Sequence, residues 1–214
     1  MIKTLFVGAA AALALTASAA SAATLSFVGS GQTHAVTNND VDAGFNTTID
    51  MITGDMKTTT NGLFLNFDSP SAQITYTYLG SEAGNSNYSA DVGGVVFQNR
   101  GWDIAQPGDT AVSYQGSEGL LNFAFGTSSP ASAVGIFMNN HLANPASSDY
   151  AIGYIQIDAD SFYVLFDDIA SGDRDFDDMV LRIDVASVPL PAGGLLLLSG
   201  LAGAAALRRR KKAA

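Results

Sequence analysis

Apolar residues recur at every second position along short stretches of this chain, and that alternation limits the folds open to it. From Gln73 to Leu79, Ile74, Tyr76 and Tyr78 fall on one side and Thr75 and Thr77 on the other, the signature of a half-buried strand. Leu121, Phe123 and Phe125 oppose Asn122 and Ala124. Met179, Leu181, Ile183 and Val185 point inward, with Arg182 and Asp184 outward. Further strands are expected at Leu25–Val28, Leu63–Phe67, Val95–Gln98, Ala111–Tyr114 and Val134–Met138. Ile152–Ile157 and Phe162–Phe166 read as a hairpin about Asp158-Ala159-Asp160-Ser161. Thr33–Thr48 is a polar stretch rich in Asn and Thr, and Gly80–Ser89 and Asn139–Asp149 read as loops. No helical period competes. About nine or ten short strands at this spacing predict an all-β chain, an antiparallel β-sandwich of jelly-roll or immunoglobulin-like connection.

The strands occupy only the middle of the sequence. Met1-Ile2-Lys3, an apolar run over Leu5–Leu15 and small residues ending at Ala20-Ser21-Ala22 form a signal peptide, with cleavage expected after Ala22. Residues 23–187 are then an exported body, long enough for one domain with a real core. Residues 188–214 are a tail in three parts: Val188-Pro189-Leu190-Pro191-Ala192, an apolar run over Gly193–Leu207, and the basic cluster Arg208, Arg209, Arg210, Lys211 and Lys212. At the helical rise that run spans only ~22 Å, short of the ~30 Å hydrocarbon core. The two prolines keep its leading edge out of a regular helix. Five positive charges hold the end on the cytoplasmic side, which leaves the body across the membrane.

Charge and cysteine usage narrow the function. All twenty acidic residues lie in the body, against Lys57, Arg100, Arg174 and Arg182, a net of −16. Such a surface repels nucleic acid and anionic lipid and favours cations. There is no cysteine, which excludes disulfides, thiol catalysis and thiolate zinc sites. Six carboxylates crowd between Asp167 and Asp178. Asp173, Asp175 and Asp177 have the alternate spacing that opens many calcium loops, with Asp178 beside them. Asp178 stands where an EF-hand needs glycine, and no glutamate closes the loop, so this is not an EF-hand. Three readings stay open: a Ca2+ site, a solvated acidic hairpin, and a turn in which Asp177 or Asp178 accepts backbone N–H bonds and pins the last strand.

Signatures of catalysis are thin. His34 and His141 are the only histidines and Glu82 and Glu118 the only glutamates. No nucleophile elbow, zinc helix or phosphate-binding loop is present, and Gly29-Ser30-Gly31 reads as a turn. A retaining glycosidase pair could be built from Glu82 and Glu118 or from aspartates, and a secreted hydrolase could use convergent carboxylates or His141. Trp102 and Tyr88 could stack on a sugar, although packing at a sheet edge is the simpler role for Trp102.

The tail resembles the VPLPA variant of the PEP-CTERM sorting signals, matching letter for letter from Val188 to Ala192. The phrases from Ile74 to Gly84 and from Gly172 to Val185 look like recurring elements of exported bodies with such tails. The resemblance implies export by the Sec machinery and processing by an exosortase, a membrane-embedded transpeptidase. It also implies a place on the surface or in the extracellular matrix of a Gram-negative envelope, with exopolysaccharide as a candidate partner. No enzymatic activity is implied. A calcium- or glycan-binding surface module and a secreted hydrolase are the alternatives.

Overall fold

The computed structural model describes residues 22–29, 52–58, 62–91, 93–101, 103–127, 151–168, 176–188 and 200–203, and the backbone of residues 32–36 and 135–138. The signal peptide before Ala22, Trp102, His141, Asp173, Asp175, Pro189–Ala192 and Arg208–Lys212 lie outside the described residues.

Fourteen strands are described, and every pairing between them is antiparallel. The first seven are β1 (Thr24–Phe27), β2 (Gln32–Val36), β3 (Gly54–Thr58), β4 (Leu63–Asn66), β5 (Ala72–Gly80), β6 (Asn87–Asp91) and β7 (Gly94–Gln98). The others are β8 (Thr110–Gln115), β9 (Gly119–Leu120), β10 (Phe123–Thr127), β11 (Gly135–Met138), β12 (Ala151–Asp158), β13 (Ser161–Asp167) and β14 (Met179–Ser187). They form a seven-stranded sheet in the order β2-β3-β12-β13-β14-β5-β8, a four-stranded sheet β11-β10-β6-β7 and a three-stranded sheet β1-β4-β9.

One apolar core joins all three sheets. Ile74 and Tyr76 of β5, Phe162 and Phe166 of β13, and Leu181 and Ile183 of β14 meet Leu63 and Leu65 of β4 and Phe123 and Phe125 of β10. Ring contacts mark the seams. Phe125 stacks on Phe166 with centroids 4.8 Å apart, and Phe27 meets Phe162 edge-on at 5.3 Å. The alternation expected of β5, β10 and β14 is present in their burial.

Two details depart from simple alternation. The connection expected through Ser89 stops at Ser86, because Asn87 and Ser89 turn into the interior while β6 pairs with β10 and β7. β13 and β14 are also covered on their second face, where Leu165 and Val180 pack with Ile52, Met56 and Ile155 in a smaller core. A strand at the centre of a sheet with cover on both sides loses its polar alternation. Arg182 and Asp184 do face outward, and they pair with each other at 2.7 Å.

Residues 200–203 are helical. Among the described residues no helix is long and apolar enough to cross a membrane.

Candidate functional site

The acidic end of the molecule is assembled by pairing in the large sheet. Phe166 lies opposite Met179 in the β13–β14 ladder, so Asp167 and Asp168 leave one strand where Asp177 and Asp178 enter the other. Gly80 lies opposite Val180, which brings the segment after β5 to the same place. Asn99 arrives from the end of β7, its N–H donating to the Asn87 carbonyl at 3.1 Å.

At this end Asp168, only 1% exposed, is held by neutral amides. Asn85 Nδ2 donates to Oδ1 at 2.7 Å, and Asn87 Nδ2 donates to Oδ2. The Asp168 N–H donates to Asp178 Oδ2 at 2.6 Å. Ser81 Oγ donates to the Asp178 carbonyl, and the Glu82 N–H donates to the Asp177 carbonyl at 3.0 Å. Asn99 completes the frame: its Oδ1 accepts from the Asn87 N–H at 2.7 Å and its Nδ2 donates to Ser81 Oγ at 2.9 Å. Asp167 and Asp177 are buried beside this network. Asn87 Oδ1 is buried with no hydrogen-bond partner among the described residues.

Backbone geometry fits the same purpose. Phe176, with φ of +57°, is the one non-glycine residue in the left-handed region among those described. That region is uncommon for a bulky side chain and persists only where the surroundings impose it. Here the Phe176 ring packs on the smaller core while the chain turns to deliver Asp177 and Asp178 to the network.

Of the four expected calcium ligands, Asp177 and Asp178 are placed together. Asp178 acts as the backbone acceptor foreseen for a strand-pinning turn. Among the described residues no group of three or more histidine, aspartate or glutamate side chains is arranged to hold a metal ion. The two glutamates are not brought together either. Glu82 follows the C-terminal end of β5, whereas Glu118 Oε1 accepts from the Phe67 N–H near the start of that strand. The length of β5 sets them ~26 Å apart, beyond either glycosidase geometry. Tyr88 lies in β6 across from Gly126, and a Cβ on that glycine would clash with the Tyr88 ring. One face of the ring is therefore occupied by backbone.

The asparagines were missed in the sequence reading. Asn85 and Asn87 sit in a run that looks like a loop by composition, and only strand pairing brings them to Asp168. Comparison with protein-family models, with curated proteins and with solved structures gives no match.

Proposed function

We propose that this chain is an exported, non-enzymatic protein of the cell surface or extracellular matrix, carried as a β-sandwich and sorted by its C-terminal tail. The observation that carries the reading is the order of the last residues: motif Val188–Ala192, short apolar run, basic cluster Arg208–Lys212. Supporting it, Ala23 is buried immediately after the expected cleavage point, and β14 ends at Ser187, one residue before the motif. The Val188 N–H still donates to the Ser71 carbonyl at 3.0 Å. An enzyme that recognises an extended Pro-x-Pro segment would thus meet it directly beyond the last strand. Sharing of one core by three antiparallel sheets supports the sandwich.

In this reading the acidic end is a structural clamp, in which amides and backbone N–H groups solvate carboxylates and lock β13, β14 and β5 together. Melting the protein with chelator and then with millimolar calcium separates this from a Ca2+ site at Asp173, Asp175, Asp177 and Asp178. The clamp leaves the midpoint unchanged, whereas a calcium site raises it.

Intact-mass analysis of mature protein from its native host tests the sorting role. The expected species begins at Ala23 and lacks Arg208–Lys212. Mature material that retains the basic cluster would sink the proposal.

A further inference from the structure

β8 closes one side of the seven-stranded sheet. Its six residues, Thr-Ala-Val-Ser-Tyr-Gln, include no charge, proline or glycine, although the body has twenty acidic residues and four basic ones. Edge strands are ordinarily guarded by a lysine, a proline or a bulge that turns the flank away. The ladder between β8 and β5 runs without a register shift from Ala72 opposite Gln115 to Thr77 opposite Thr110.

Which groups the strand leaves open follows from its entry. Gly108 N–H donates to the Tyr78 carbonyl, and Tyr78 N–H donates to the Asp109 carbonyl. Asp109 therefore faces β5, and by the alternation of antiparallel ladders so do Ala111, Ser113 and Gln115. The N–H and C=O groups of Thr110, Val112 and Tyr114 point to the outer flank, where no described strand pairs with them. Side chains of the same three residues are exposed, with Val112 at 51% and Tyr114 at 61%.

We propose that a second copy of this chain pairs here, β8 against β8, continuing the sheet across a two-fold axis at Val112. In that register Val112 faces its counterpart, and Thr110 and Tyr114 face each other on both sides. Each of the three open residues then exchanges both backbone hydrogen bonds, and Tyr114 packs diagonally on Val112. Charge selects the occupant. Two acidic bodies repel on most approaches, and this uncharged strip lets them meet without setting like charges opposite each other, because Asp109 falls across from Gln115. A basic partner would instead favour the acidic surfaces.

The absence of cysteine provides the test. Hydrogen-bonded antiparallel pairs hold Cα atoms ~5.5 Å apart, within the ~4.4–6.8 Å that a disulfide spans. Full-length chain carrying Val112→Cys, in detergent micelles under mild oxidation, is expected to give a covalent dimer. Val95→Cys on β7, at a site 62% exposed, is expected to stay monomeric. Association through the apolar tail would link both variants alike. In sedimentation the cysteine-free parent should run as a dimer and Val112→Lys as a folded monomer, whose melting midpoint, unlike the parent's, does not rise with protein concentration. A monomeric parent, or equal crosslinking of the two cysteine variants, overturns the proposal.

Discussion

Asn87 joins two elements through every polar group it has except Oδ1. Its backbone exchanges hydrogen bonds with Asn99, and its amide Nδ2 serves Asp168 and, at 3.3 Å, the Asp178 carbonyl. Asn87→Asp changes little in volume but replaces a donor to a buried carboxylate with a second carboxylate. The expected loss is about 3–5 kcal/mol at neutral pH, the scale of a buried charge left without compensation. The loss should shrink as pH falls, because the introduced carboxyl takes a proton and can donate again. Urea unfolding at pH 7 and pH 5 measures both. Buried phenols set a limit on the alkaline side. Burial raises the Tyr154 phenol well above its ordinary range. It does the same for Tyr76, with the nearby Ser113 hydroxyl offsetting part of the effect and Asp91 adding to it. A raised folded value leaves stability whole below the unfolded value near pH ~10. It then drains away as pH climbs toward the folded values, because the unfolded chain gives up protons that the folded chain keeps. Each such phenol predicts a fall of ~1.4 kcal/mol per pH unit above pH ~10, and Tyr154→Phe should lower the slope by about that amount.

At the scale of elements, the entry to β8 shows how one turn sets a strand. Gln106-Pro107-Gly108-Asp109 closes with Asp109 N–H donating to the Gln106 carbonyl at 2.9 Å, and Gly108 has φ of +97°. Proline second and a left-handed glycine third make a type II turn. The same glycine starts a G1 bulge opposite Tyr78. Nothing lies within 4 Å of where a Gly108 Cβ would stand, so substitution there costs backbone strain alone. Gly108→Ala is expected to lose about 1–2 kcal/mol, and Gly116→Ala, also in open space but without positive φ, almost nothing. Equal effects in denaturant unfolding would remove the turn from the account. The elements legible in the sequence were those whose pattern is local: β5, β10, β14 and the β12–β13 hairpin announce themselves by alternation and turn residues. β6 was hidden because Asn87 and Ser89 read as loop, although both face inward. The second cover over Leu165 and Val180 was hidden because Ile52 and Met56 come from a stretch with no neighbour in sequence to betray it. For the site, spacing raised the possibility that Asp178 accepts a backbone N–H, but only sheet order could select Asp168 as the donor.

For the whole molecule, strand direction joins the two proposals. Ser187 ends β14 opposite Ala72, and Ala72 lies opposite Gln115. The tail therefore departs beside the C-terminal end of β8, and the Asp168 network occupies the other end of the sheet, ~26 Å along β14. A copy held upright by its tail would carry that network away from the bilayer. Two copies held upright in one bilayer would carry their β8 strands in the same direction, whereas the two-fold pairing requires opposite directions and sends the tails out at opposite ends. Antiparallel pairing on the surface thus requires that at least one tail be released first. In the native host, no Val112→Cys dimer on non-reducing gels should join two copies that both retain Arg208–Lys212. Every dimer should contain at least one copy that has lost that cluster. A covalent dimer accumulating in membranes when processing is blocked would mean that the strands lie along the bilayer, and the link between release and assembly would fail even if the β8 contact held.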